Sequence, residues 1–441
     1  MRGMLWVRLG LMALCLAVMA ATPLRALTVL RDADIEYALG ELAKPIFTAA
    51  GLSPGNVRVL VVDDPSLNAF VGDYAHVLIH SGMILKLDSA RALQAVLAHE
   101  AAHIANGHIS RRVANMRNAR TAAGLGMILA GVAATQNAEA GFGIAAGTQS
   151  SVMRNFLAHT RAEEAAADQS AVRYMVRAGI DPQGAVEVME IFRGQEALSV
   201  ARQDPYMLSH PMSRDRLRAL KGAAAAYGSD GPGNPAAEYW FQRAKGKLSA
   251  FQRNPAWTLR RAGDSASADI RLMREAVAHH KRADLKKALA AMDGALRLRP
   301  NDPFLLDLKG QILLESRQAP AAVATYRQAV RFAGGNALIL GGLGRALLAA
   351  GEPRAALEAL DRARARDGQD PRLLRDLAVA YAQSGQTGLA SVATAERYAL
   401  QGRLKDAKLH ADRAMALLPR GSSAWRRAED VAITAQAALR R

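Results

Sequence analysis

His99-Glu100-Ala101-Ala102-His103 is the stretch of this chain whose residue types and spacing can do chemistry. Histidines four apart on a helix share a face, so both imidazoles can reach one ion. Glu100 lies one residue's rotation away, near enough to act on a water at that ion without ligating it. Two ligands and a general base in this order are the arrangement of zinc enzymes that cleave peptide bonds. Such an ion needs a third protein ligand. A histidine six residues beyond the second is ruled out, because Ile109 stands there. His108, half a helical turn from His99, is read as solvated or capping. A later helix, Arg161-Ala162-Glu163-Glu164-Ala165-Ala166-Ala167-Asp168, offers carboxylates instead. Glu164 and Asp168 are four apart, so one can ligate while the other accepts the second N–H of a ligand histidine. Glu163 has only Ala167 four residues on. The expected set is His99, His103 and Glu164 around one Zn²⁺ per chain. Glu100 is then the base that takes a proton from water and returns it to the leaving amine, and Asp168 the orienting acceptor.

These side chains must be held by other elements. Ala90–His108 reads as a helix whose apolar face carries Leu93, Val96, Leu97, Ala101 and Ile104. Ahead of it, Asn68–Val71 and His76–Ile84 read as a strand segment. His76 and His80 are expected to be exposed on a strand whose edge suits an extended substrate. After the carboxylate helix comes Ser209-His210-Pro211, with Arg216 and Leu217 beyond. His210 has two open roles here, a donor to the tetrahedral oxyanion or a latch on the fourth zinc position.

His-Glu-x-x-His followed by Arg-x-x-Glu-x-x-Ala-Asp resembles metallopeptidase family 48. The strand segment 68–84 and the element His210-Pro211 with Arg216 are similar to the family's as well; His159-Thr160 departs from its frequent Tyr-Ser. The resemblance implies a zincin-type endopeptidase. Together with an export signal and helical repeats, it implies an envelope enzyme acting on misfolded or stalled outer-membrane proteins beside their assembly machinery.

The chain has 441 residues, 50% hydrophobic and 22% charged, which excludes wholesale disorder. Its one cysteine, Cys15, excludes a disulfide scaffold and cysteine-rich metal sites. Arg2 and Arg8 precede the apolar run Leu9–Ala21, and small residues follow to Ala26. Residues 1–26 therefore read as a cleavable secretory signal, since the run is short of the roughly 20 residues of a membrane span. Cleavage would remove Arg2, Arg8 and Arg25 and no acid, lowering the net charge from +17 to +14. Export to the periplasm argues against a nucleic-acid partner despite that charge. The segment 121–147, apolar and rich in Gly and Ala, reads as a buried hairpin, a flap over the cleft, or a contact with a membrane surface.

Small residues recur with a period of 34: Ala288, Ala322, Ala356, Ala390; Ala276, Gly310, Gly344, Ala378; and Ala295, Ala329, Ala363. Three phases locked to one period resemble tetratricopeptide repeats, in which small residues let paired helices approach. Near the end the phase slips by half a repeat. Helix 388–400 is expected to serve two hairpins, and 422–438 to cap the array. The fold class read from the chain is α+β and mostly helical. Residues 27–262 form a zincin-type peptidase domain with a joining helix at Pro235–Arg253, and residues 263–441 an all-α repeat solenoid. The solenoid would recruit unfolded or misfolded proteins. The rival class is a chaperone or scaffold whose zinc site is latched or silent.

Overall fold

The computed structural model describes residues 28–108, 161–195, 198, 202–211, 213–228 and 233–440. The expected signal 1–26 and the segment 121–147 lie outside them, as does His159-Thr160. Strands β1 (Val29–Leu30), β2 (Arg58–Val62), β3 (Ala69–Asp73) and β4 (His76–His80) form one sheet in the order β1-β2-β4-β3. β4 runs parallel to β2 and antiparallel to β3, placing Val77 opposite Val59 and Ile79 opposite both Val61 and Ala69. β4 is thus interior, and the free edge on this side belongs to β3. The expectation that the His76–His80 strand offers an edge is corrected accordingly.

Helix α1 (Ala33–Ala49) starts at Asp32, whose carboxylate accepts from the Asp34 and Ile35 amides, and α2 (Ser81–Lys86) follows β4 directly. Helix α3 (Ala90–Ala105) is N-capped by Ser89, and every residue from Ala92 to Ile104 is buried. An Ala- and Leu-rich helix of this kind is covered on all sides. Its polar exceptions are Gln94, which donates to the Leu42 carbonyl, and His99, Glu100 and His103. Helix α4 (161–177) is followed by α5 (Gln183–Ile191), α6 (Pro205–Ser209) and α7 (Arg214–Tyr227). Gly184 lets α5 lie directly on α3: a Cβ there would stand 2.3 Å from the Arg91 carbonyl oxygen.

Helix α8 (Pro235–Gln252) belongs to both halves, with Phe241 and Leu248 in the peptidase core and Ala250 in the first core of the repeats. After α9 (Pro255–Arg260) the array runs through α10 (Ala268–Lys281), α11 (Leu285–Leu298), α12 (Pro303–Glu315), α13 (Ala319–Phe332), α14 (Ala337–Ala349), α15 (Pro353–Arg364), α16 (Pro371–Gln383), α17 (Thr387–Leu400), α18 (Leu404–Leu417) and α19 (Ser423–Leu439). The small phases sit where paired helices touch. A Cβ on Gly344 would lie 2.4 Å from Leu360 Cγ. α17 does face two ways, with Ala393 in the central repeat core and Val392 and Ala395 in the terminal one beside Ala428 of α19.

The two halves are joined by buried charge. Arg243 of α8, 1% exposed, donates to Asp34 at 2.7 Å and to both oxygens of Asp302 at 2.6 and 2.9 Å. Lys247 stands 2.9 Å from Asp32, and Arg31 after β1 stands 2.6 Å from Asp367 of the loop before α16. Tyr37 of α1 packs on Phe304 of α12 with ring centroids 4.8 Å apart. Part of the array's inner surface is therefore occupied by the peptidase half itself.

Candidate metal centre

Helix α3 delivers both imidazoles to one point because its fourfold spacing survives burial intact. His99, His103, Glu164 and His210 each turn one donor atom towards a common point, and those atoms all lie within 4.8 Å of one another. His103 Nε2 is 3.1 Å from His99 Nε2, and the Glu164 carboxylate is 3.2 Å from the latter and 3.3 Å from the former. Glu164 is fully buried on α4. One turn further along α4, Asp168 Oδ1 lies 3.1 Å from His99 Nδ1, the nitrogen turned away from the cluster.

Arg216 completes the support, and the motif reading gave it no role. Its Nε and Nη2 donate to Asp168 at 2.6 and 2.9 Å, and its Nη1 donates to the Pro211 carbonyl at 2.7 Å and lies 3.2 Å from Glu164. The His-Pro-x-x-x-x-Arg spacing was the available signal: a planar donor fork five residues after a turn reaches back to a carboxylate pair. Tyr206 was also missed. Its ring lies 4.6 Å from that of His210 and stacks on Phe192 at 5.0 Å, fixing the imidazole from behind.

His108 departs from expectation. It is buried, and its Nδ1 lies 2.9 Å from His103 Nδ1. The half-turn argument assumed that the helix continued, whereas α3 ends at Ala105 and Gly107, at φ 68°, folds the chain back beneath His103. His80 is likewise buried rather than exposed, with Ser66 Oγ 3.0 Å from its Nδ1, while half-buried His76 pairs with Asp73 at 2.9 Å.

Electrostatics fit a cation at this point. Burial works against charge on His99, but its bonds to Asp168 and Glu164 outweigh it and raise the imidazole to about 10. Burial pushes His103 down to about 3. Burial also opposes ionisation of Glu164, yet His210, His103 and His99 hold it far below the usual carboxylate range. Two carboxylates thus trap a proton where a divalent ion would serve them as well, and metal binding would release it. Glu100, 1% exposed, has no hydrogen-bond partner at either carboxylate oxygen, although His210 Nε2 approaches one at 3.4 Å. An ionisable group left unsatisfied beside three donors fits a site that takes a further polar occupant.

The description of peptidase family M48 matches residues 30–224, a span that holds the entire cluster. Residues 30–224 are a peptidase family M48 domain. A tetratricopeptide repeat description matches residues 313–375, within the array. The chain is 24% identical over 373 residues to the beta-barrel assembly-enhancing protease of Escherichia coli, covering 82% of this chain and 74% of that one. It is 23% identical to the protein of the same name in Yersinia pestis, over 79% and 72%. A mitochondrial metalloendopeptidase of Schizosaccharomyces pombe is 28% identical over 42% of this chain and 51% of its own. Among solved structures, MamA from Desulfovibrio magneticus is matched over 37% of this chain and 96% of its own, at 20% identity and a TM-score of 0.33. The chain is a metalloendopeptidase: an M48 domain followed by tetratricopeptide-like repeats. Among the described residues no helix is long and apolar enough to cross a membrane.

Proposed function

We propose that this M48 enzyme is a zinc-dependent endopeptidase of the periplasm, that it hydrolyses misfolded or stalled outer-membrane proteins, and that its repeats recruit them. The observation that carries the reading is the buried Glu100, with no hydrogen bond at either carboxylate oxygen, beside His99, His103 and Glu164. Those three residues would hold the zinc ion, which when bound supplies Lewis-acid polarisation of the scissile carbonyl. Glu100 removes a proton from the attacking water and returns it to the leaving amine. Asp168 keeps the His99 ring in its ligating orientation, and Arg216 keeps Asp168 ionised. The free edge of β3, whose Ala69 carbonyl lies 3.3 Å from His210 Nε2, suits an extended substrate chain.

Periplasmic residence rests on the layout of residues 1–26, and the choice of client on the names of the relatives. The rival reading, a chaperone with a latched site, draws on His210, whose Nδ1 sits among the metal-holding atoms. The test uses the chain lacking residues 1–26, with metal content and casein cleavage measured with and without a chelator. Glu100→Gln should retain zinc and the fold but lose cleavage. Full activity in that variant removes the mechanism, and a zinc-loaded, folded wild type that cleaves nothing favours the chaperone.

A further inference from the structure

Between the peptidase half and the inner face of the repeats lies a cavity of about 410 Å³, within the range of about 300–1,000 Å³ usual for ligand sites. One wall is the edge strand β1, and the other is built by α12, α14 and α16. Its carboxylates differ in one respect. Asp32 is matched by Lys247, Asp367 by Arg31 and Arg58, Asp370 by Arg372 and Asp376 by Arg345, and Asp63 accepts from Gln252. Asp307 of α12 alone among them has no hydrogen bond or ion pair within the described residues; it lies deep in protein with its side chain partly open to the cavity. Burial, reinforced by Asp32 and Asp34, pushes its carboxyl up to about 7 against the opposing pull of Lys247 and Arg345.

The strand wall supplies a second kind of recognition. β1 pairs antiparallel with β2 through Val29 opposite Val62 and Leu30 opposite Val61, and the Asp63 amide donates to the Thr28 carbonyl at 2.8 Å. Bonded and non-bonded pairs alternate along such a ladder. Val29 therefore turns its N–H and C=O away from β2, while the next outward carbonyl, that of Arg31, already accepts from Arg372 at 3.0 Å. Opposite it, nothing stands within 4 Å of a Cβ placed on Gly341, so the solenoid wall leaves room for a chain.

We propose that this cavity binds an extended segment of a protein client, pairing its backbone with the β1 edge and seating one Lys or Arg side chain against Asp307. The inference rests on the recruiting role proposed for the repeats, and adds to it a site and a chemical preference. Backbone pairing supplies affinity independent of sequence, and the single carboxylate supplies selection for a basic residue.

The experiment uses the chain lacking residues 1–26 with Glu100→Gln, so that nothing is cut. Binding is read by anisotropy of a labelled, end-blocked heptapeptide of alternating Val and Thr with a central Lys, and of its norleucine analogue. The Lys peptide should bind at least tenfold more tightly, and Asp307→Asn should abolish that difference. Gly341→Leu, which fills the space, should weaken both peptides. Equal binding of the two peptides, equal binding by Asp307→Asn, or absence of binding by either peptide overturns the proposal. So does spermidine competing as strongly as the Lys peptide, which would mark a small-cation site. None of these results bears on whether the metal centre hydrolyses peptides, which the Glu100→Gln comparison reads separately.

Discussion

Asp168 is clamped by Arg216 through two parallel hydrogen bonds, at 2.6 and 2.9 Å, while it faces His99 Nδ1 at 3.1 Å. A ligand histidine oriented by a carboxylate that is itself held by a guanidinium is rigid over three links. Arg216→Lys keeps the charge but loses the fork. We expect zinc affinity to fall by about 10- to 100-fold, the usual cost of losing such support. Competition with a chromophoric chelator measures it, and wild-type affinity in Arg216→Lys would reduce the arginine to a packing residue.

His210 separates two roles by the sign of one effect. As a latch it suppresses cleavage, so His210→Ala should raise basal hydrolysis of a quenched peptide. As an oxyanion donor its loss should lower turnover by about a hundredfold or more. An unchanged rate would leave it as a turn residue between Tyr206 and Pro211. Its Nδ1, 3.0 Å from Glu164, favours the first outcome.

Arg243→Met removes the cation that buried Asp34 and Asp302 share, leaving them only Lys247 at 3.7 Å and Arg299 at 3.3 Å respectively. Removing one member of such a set costs about 3–5 kcal/mol. The urea midpoint should drop accordingly, and replacing both aspartates by apolar residues in the same background should recover much of the loss. A midpoint unmoved by Arg243→Met would show that the seam contributes little. The same network makes deletion of residues 269–441 a poor probe of recruitment, because it would strand Arg243 and expose the face on which Phe304 packs.

Asp307 makes a pH prediction. Burial, reinforced by Asp32 and Asp34 and opposed by Lys247 and Arg345, holds its folded pKa at about 7, above the roughly 3.9 of an unfolded aspartate. The folded state then keeps a proton that the unfolded state has released. Its contribution therefore falls as pH rises from about 4 to about 7 and stays level above. Asp307→Asn should match wild type below about pH 4 and exceed it by about 1–3 kcal/mol at pH 8, discounted for the side chain's opening to the cavity. Stability curves that run parallel from pH 5 to 8 would contradict the assignment.

The clustering of these side chains was legible in the chain because helical spacing is short-range. His99, His103, Glu164 and Asp168 lie at offsets of four, and a helix converts that offset into proximity without help from elsewhere. The repeats were legible for a like reason, since Ala288, Ala322 and Ala356 must each meet a partner helix at the same phase. His108 was misjudged because one glycine turn, at Gly107, reverses the chain where a helix was assumed. The seam was illegible. Arg243 and Asp302 are 59 residues apart and Arg31 and Asp367 are 336 apart, and no periodic pattern links them. β1, only two residues long, offered no alternation to read.

That short strand also sets an order of events. Arg31 directly follows β1, yet its carboxylate partner Asp367 is among the last quarter of the residues to be made. The ion pair that ties the end of β1 to the array cannot form until the third hairpin of helices exists. Loop closure over so long a contour is slow. During that interval β1 has its β2 partner but lacks the ion pair that ties its end to the array.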